Sequence, residues 1–455
     1  MYYRKDAVFM AVAGLLASSG FAMADATPKT SLSLDPTVLR ADDASSEGLL
    51  MMGLGKAGAA QAIKDAKLNI YGWVETGYTF NHRHAGSGRN APVITPGPFN
   101  HEYGNHFMLN QLVLRVEKQI DPKKFEIGGM VELMYGSDAA RIHATGLGYN
   151  GSDATDDNGT ISGPVDDLAV ANLHPIWQFD VPQAYVDIGV PVGNGLRLRV
   201  GKFVTLLGYE TIDPRTNPFY SHSYLFNAVP FTQLGVMGDY KVNDNLEVQL
   251  GVTRGWDIAL EDNNGCAIDV LGQVAYKFND QINAVVNFSV GPENGAYPAE
   301  GKHDSGHYRV AIDPIVYWQV TKALKVGVEG LYIYDGGING NGTDDTHHYG
   351  DVWGAAGYVG YTVNDMLTIN GRLEKAHVNL ASFGGTSQDS DINLYEITLG
   401  VTVTPLPKDP YLKGLSIRPE IRYDFTDAGR GAFTANGGTS YKDQLTFAAD
   451  VIFAF

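Results

Sequence analysis

From Leu68 to the end of the chain, apolar residues recur at every second position, not at the three-to-four spacing of a helix. In the first such stretch Leu68, Ile70, Val74 and Tyr78 share one row, and Asn69, Glu75 and Thr79 the other. Leu112, Leu114 and Val116 stand against Gln111, Arg115 and Glu117, and Ile127, Val131, Leu133 and Tyr135 against Glu126, Met130 and Glu132. Leu196, Leu198 and Val200 alternate with Arg197 and Arg199. Late in the chain Leu415, Ile417, Pro419, Ile421 and Tyr423 alternate with Ser416, Arg418, Glu420, Arg422 and Asp424. The last stretch sets Leu445, Phe447, Ala449, Val451, Phe453 and Phe455 against Thr446, Ala448, Asp450, Ile452 and Ala454. A period of two predicts strands whose two faces meet different surroundings.

Alternation fits a soluble sandwich as well as a barrel in lipid, so the turns decide. Short connections are expected at 121–123, 191–194, 242–245, 279–280, 321–323, 363–365 and 406–413. Long, polar, Gly-rich segments are expected at 81–103, 136–180, 206–230, 255–265, 291–306, 335–347, 377–391 and 426–442. Seven short turns interleaved with eight long loops give sixteen strands, with both ends of the barrel on the short-turn side. The expected fold is all-β, a transmembrane antiparallel up-and-down β-barrel; one misread loop would make the count fourteen or eighteen. Closure leaves no unpaired backbone row facing lipid.

The front of the chain changes the picture only by agreeing with it. Arg4 and Lys5 precede a short apolar run, and Ala22-Met23-Ala24 forms an A-x-A cleavage site, so 1–24 reads as a signal peptide. Residues 25–67 read as a periplasmic leader, polar at first and Ala-rich enough from Leu49 for a turn or two of helix; it would pack at the mouth or in the lumen. The barrel is expected over 68–455. A mean hydropathy of −0.14 suits lipid-facing and lumen-facing rows that cancel. A net charge of −18 argues against nucleic acid as a partner. The single cysteine, Cys266, excludes an intramolecular disulfide and a cysteine-based metal site.

Parity predicts which charges face inward: Glu75, Arg115, Glu117, Glu126, Glu132, Arg197, Arg199, Glu247, Asp269, Lys277, Arg309, Asp313, Lys325, Glu329, Arg372, Glu374, Glu396, Arg418, Glu420, Arg422 and Asp450. A barrel of this size encloses water, and rings of both signs bias which ions pass. Mutual salt bridges that stiffen the wall are the plainer use of the same residues. Arg197, Arg199, Arg418 and Arg422 form the densest basic group and are candidates for anion contact. The loop 206–230 combines Glu210, Asp213 and Arg215 with Phe219, Tyr220, Tyr224 and Phe226. Folded inward it would bury its rings on the wall, turn its charges to the pore and constrict it; left outside it would cap the rim.

Three stretches carry a resemblance: YGWVETGYTFN at 71–81, the run from LRLRVGKFVTLLGYETID to NPFYSHSYLFNAVPFTQLGV within 196–236, and LSIRPEIRYD at 415–424. They resemble the OmpL-like β-barrel porin-2 family, and the likeness extends over the whole barrel. It implies a bacterial outer-membrane channel for passive diffusion of small hydrophilic solutes and ions, with no cofactor and no catalytic residues. The terminal strand resembles the closing strand of outer-membrane barrels, which the barrel-assembly machinery reads. Outer-membrane lipid and lipopolysaccharide are then the surroundings, and a homotrimer is expected by analogy, with Gly129, Gly371 and Ala449 as small outward residues.

Other readings stay open beside this one. An uptake channel for a sugar or a carboxylate would need saturable flux. His303 and Ser305 have the His-x-Ser spacing of a barrel phospholipase, in which the His activates the Ser. An adhesive barrel plugged by the leader is the third. His82, His84, His101 and His106 with Glu102, and the oxygen-rich runs at 153–159 and 335–345, are metal candidates without a known ligand spacing.

Overall fold

The computed structural model describes residues 48–82, 104–144, 146–147, 177–260, 268–293, 308–335, 351–379, 391–428, 431–434 and 440–455. Its strands are β1 (Leu68–Asn81), β2 (Phe107–Lys118), β3 (Glu126–Gly136), β4 (Gln178–Val190), β5 (Leu196–Val204), β6 (Thr232–Lys241), β7 (Leu246–Thr253), β8 (Asp269–Lys277) and β9 (Ile282–Gly291). They continue with β10 (Arg309–Gln319), β11 (Leu324–Asp335), β12 (Val352–Asn364), β13 (Leu367–Asn379), β14 (Asp391–Val403), β15 (Leu415–Thr426), β16 (Phe433–Thr434), β17 (Ser440–Tyr441) and β18 (Asp443–Ala454). Each barrel strand pairs antiparallel with its sequence neighbours, and β18 pairs with both β15 and β1, which closes a barrel of sixteen strands. β16 and β17 form a separate small hairpin in the last long loop. At the seam the Phe455 amide donates to the Gly72 carbonyl at 2.8 Å, and the Gly72 amide donates back at 3.0 Å.

Most of the short turns share one device. A side-chain oxygen at the start of the turn accepts backbone N–H groups two and three residues on, which fixes the reversal without other help. Asn243, Asn279 and Asp409 each take two amides this way, Thr321 does the same through its hydroxyl, and Asn364 takes the Met366 amide. These turns lie at the end of the barrel where β1 begins and β18 ends.

Outward rows are apolar, and aromatic residues gather at their two ends. Phe80, Phe107, Phe179, Tyr332, Trp353, Tyr423 and Phe447 are exposed near the long loops, and Phe125, Tyr276, Phe278, Trp318 and Tyr361 near the short turns. Such girdles mark the two boundaries of a hydrocarbon slab. Two short helices, α1 (Leu49–Lys56) and α2 (Ala60–Asp65), precede β1. Lys67 ties their end to Glu126 at 2.5 Å. No described helix is long and apolar enough to cross a membrane.

Candidate functional site

The segment between β5 and β6 runs inside the barrel. Its only regular structure is one 3-10 turn, Pro214–Thr216, and α4 (Tyr224–Ala228); α3 (Ser137–Arg141) belongs to the loop after β3. Asp213 caps the 3-10 turn, and Ser223 caps α4 through the Phe226 amide at 3.0 Å. The remaining backbone has no ladder to join, and a buried N–H or C=O without a partner is costly. The inner wall supplies the partners.

Wall carboxylates take the amides. Asp313 on β10 accepts from Gly208 at 2.7 Å, Glu329 on β11 from Tyr209 at 3.1 Å, and Glu374 on β13 from Tyr224 and Leu225 at 2.8 Å each. Glu420 on β15 accepts from Tyr220 at 2.9 Å and from Ser221. Wall donors take the carbonyls. Arg372 donates to Ser221 at 2.8 Å, Arg418 to Pro214 and Asn217 at 2.7 Å each, and Arg422 to His222 at 2.5 Å. Asn370 donates to Pro218 and Gln111 to Ile212. In the ring order β13 stands eight strands from β5, so the segment crosses the lumen and is bound on the opposite wall.

Counter-charges complete the arrangement. Arg372 bridges Glu396 on β14 and Glu210 of the segment, both at 2.6 Å. Arg418 pairs with Asp450 and with Glu75, and Arg422 with Asp424. Burial opposes ionisation of Glu210, but Arg372 and His222 outweigh it and hold its pKa at about 2. Asp213 is likewise held at about 2 against its burial, by Arg215 and Arg115. His222 sits 2.8 Å from Glu210 and stacks on Phe226; burial pulls it below its ordinary value despite that carboxylate.

Side chains of the segment fill sockets left by wall glycines. A Cβ at Gly77 would collide with the Tyr220 ring, one at Gly327 with the Tyr209 ring, and one at Gly354 with Leu225. Tyr209 also stacks on Tyr358 at 4.0 Å and on Tyr317 at 5.3 Å between centroids. Phe219, Tyr220, Tyr224 and Phe226 are all buried.

Alternation puts the charged positions named from sequence on the inner face, but more than half of them are shut off from water. Glu75, Glu132, Asp313, Glu329, Arg372, Glu396, Arg418, Glu420 and Arg422 are buried, most of them spending their hydrogen bonds on the segment or on one another. They do not line a water-filled surface, because the segment covers that wall. Glu210 of the segment is buried against the wall too, contrary to the expectation that its charge faces the pore. The partly exposed guanidiniums lie elsewhere: Arg115 at 13%, Arg215 at 18%, Arg197 at 19% and Arg199 at 12% side-chain exposure. Arg115 pairs with Glu132 and Asp213, Arg197 with Asp239 at 2.5 Å, and Arg199 with Asp187 at 2.9 Å. Arg309 lies over Trp256, 4.8 Å from its centroid. Arg197 and Arg199 are thus separated in use from Arg418 and Arg422.

Sequence reasoning passed over Trp73 and Asn110. Trp73 is fully buried on the inner face of β1, with Arg215 at 4.1 Å and Arg115 at 4.6 Å from its ring centroid. Its parity with Glu75 was the available signal. Asn110 joins Gln111 on the inner face because β2 slips register against β1 near that point, and no residue type announces the bulge. His303, Ser305, His84, His101, Glu102, Cys266 and the runs 153–159 and 336–345 lie outside the described residues. Among the described residues no group of three or more His, Cys, Asp or Glu side chains is placed to hold a metal.

A closed sixteen-stranded barrel with apolar outer rows, two aromatic girdles and an inner segment crossing its lumen defines a transmembrane barrel of the channel class. The chain belongs to the family described as Putative beta-barrel porin-2, OmpL-like, which it matches over residues 67–455. It is an outer-membrane porin. No curated protein matches the sequence. Among solved structures it is similar to outer-membrane expressed OmpT of Vibrio cholerae, with 10% identity, a TM-score of 0.49, and coverage of 85% of this chain and 97% of that one. The high-pH structure of Pseudomonas putida OprB gives 11%, 0.49, 88% and 97%. Salmonella typhi OmpF in complex with daunomycin gives 12%, 0.49, 86% and 99%. Likenesses at that level say nothing about cargo, gating or assembly.

Proposed function

We propose that this porin is a water-filled channel for passive diffusion of small hydrophilic solutes and ions, constricted by the segment 206–230. The observation that carries the reading is the fastening of that segment across the lumen by side chains of β10, β11, β13 and β15. Glu210, Asp213, Arg215, Tyr220 and Tyr224 shape the constriction from within the segment. Solute meets the partly exposed Arg115, Arg197, Arg199 and Arg215, backed by carboxylates, so transport needs no cofactor and no chemistry. Single-channel recording of the mature chain in a planar bilayer tests this. Stepwise conductance is expected, with a reversal potential under a salt gradient that moves when Arg115, Arg197 or Arg199 is neutralised. A folded barrel that conducts nothing would sink the reading.

The Arg115 and Arg215 pair at Trp73 favours a second reading, an uptake channel for carboxylates. It predicts flux that saturates with a carboxylate and not with a neutral sugar of the same size. Export through residues 1–24 and insertion through the closing strand belong to the same proposal, and amino-terminal sequencing of the membrane form reads the first. Homotrimeric assembly does too. Gly129, Gly371 and Ala449 fall on β3, β13 and β18, so they do not make one patch, and native mass spectrometry in detergent gives the stoichiometry.

A further inference from the structure

The outward rows are apolar along nearly every strand, and the long-loop end of β13 departs from that rule. Leu367, Ile369, Gly371 and Leu373 face lipid, and the next two outward positions are Lys375 and His377. Register sets Ala355 and Tyr395 on either side of Lys375, and Trp353 beside His377. The Lys375 ammonium lies 4.9 Å from the Trp353 ring centroid and 5.7 Å from that of Tyr395. His377 stacks on the same Trp353 ring at 5.1 Å.

The carboxylates nearby are engaged elsewhere. Asp427 accepts from the Tyr395 hydroxyl at 3.1 Å and from Asn393 at 3.3 Å, and Asp351 accepts from Tyr332 at 2.8 Å. Glu374 and Glu396 face the lumen under the inner segment. Among the described residues Lys375 has no carboxylate partner, and the two aromatic faces beside it attract its charge without neutralising it. Lys202, at the long-loop end of β5, differs: it is buried, 3.4 Å from Asp180.

An ammonium on a lipid-facing surface is costly in hydrocarbon and favourable among headgroups. Aromatic rings at this level mark the headgroup boundary and hold the lysine stem there. An anion is the missing part, and the membrane offers one in phosphate. We propose that Lys375, framed by Trp353 and Tyr395 on the outer face of β12–β14, docks the phosphate of an anionic lipid headgroup in the leaflet on the long-loop side. The porin then carries a fixed lipid site on its wall, independent of what passes through its lumen.

Native mass spectrometry of the folded barrel in uncharged detergent, titrated with diphosphorylated lipid A and with the same lipid stripped of phosphate, tests this. Wild type should bind the phosphorylated lipid more tightly. Lys375→Gln should weaken that binding about fivefold, the weight of one basic residue at a charged membrane surface, and leave the stripped lipid unchanged. Lys375→Arg should keep the affinity, and Trp353→Leu, which removes the frame but not the charge, should weaken it less than Lys375→Gln. Equal binding of the two lipids by wild type would overturn the site. So would a Lys375→Gln protein that binds the phosphorylated lipid as wild type does.

Discussion

Two walls of one barrel use the same residue types differently. On β10–β15 the inward Asp, Glu and Arg side chains are buried and bond to the backbone of the crossing segment. On β4–β9 inward side chains bond to one another along the wall. Arg199 pairs with Asp187 and lies 3.8 Å from the Tyr185 ring centroid, Arg197 pairs with Asp239, and an amide ladder runs from Gln249 through Gln273 to Asn287. The first wall anchors the segment, whereas on the second the amides are buried among themselves and only the Arg197 and Arg199 guanidiniums keep some exposure. Burial makes the difference: a charge shut away from water must be matched atom by atom, whereas one at a wet surface is screened and contributes little to stability.

That contrast can be broken most sharply at Arg372. Arg372→Met would leave Glu210 and Glu396 buried without their cation, a loss of about 3–5 kcal/mol. The segment is expected to leave the wall, raising single-channel conductance and opening 206–230 to protease; unchanged conductance and protection would refute the anchorage. The next test uses acid. Glu210 is depressed to about 2, so its ionised form stabilises the seated segment above its ordinary range near 4.5, and that contribution is lost as pH falls towards 2. The difference in conductance between wild type and Glu210→Gln should therefore hold from neutral pH to about 4.5 and shrink below it.

A smaller effect is expected at the sockets. Gly77→Ala would push a methyl group into the Tyr220 ring and cost about 1–3 kcal/mol, read as a lower melting temperature in detergent. Gly357→Ala, where nothing stands within 4 Å, should be silent by comparison. Smallest in stability is Arg199→Gln on the other wall, whose guanidinium is partly exposed and leaves a single carboxylate behind, at the low end of about 1–3 kcal/mol. Its effect should appear instead as a shift of the reversal potential towards cations, and a stability loss as large as that of Arg372→Met would erase the distinction between the walls.

Much of this was legible in the residues. Alternation located the strands, and the ranking of connections by length gave sixteen of them in the right order of short and long. The small hairpin of β16 and β17 shows how an eighteen-strand count would arise without altering the wall. Phe219, Tyr220 and Tyr224 marked the crossing segment, because a loop bathed in water has little use for so many rings. Less legible were the β2 bulge, which brings Asn110 and Gln111 to one face, and the fate of Glu210, which parity has no means of addressing.

The sequence by itself determined which face of the wall each strand residue occupies, since a period of two depends only on the chain's own pleat. It also determined where the chain reverses, since Asn, Asp and Thr bond their own neighbouring amides. Only the tertiary structure decided which inward charges meet water and which meet backbone. That division between Arg199 and Arg372 depends on where a segment 150 residues away in sequence comes to lie. Its irregular backbone must find donors and acceptors wherever it lands, and no local pattern around Arg372 or Glu374 states that it will land there.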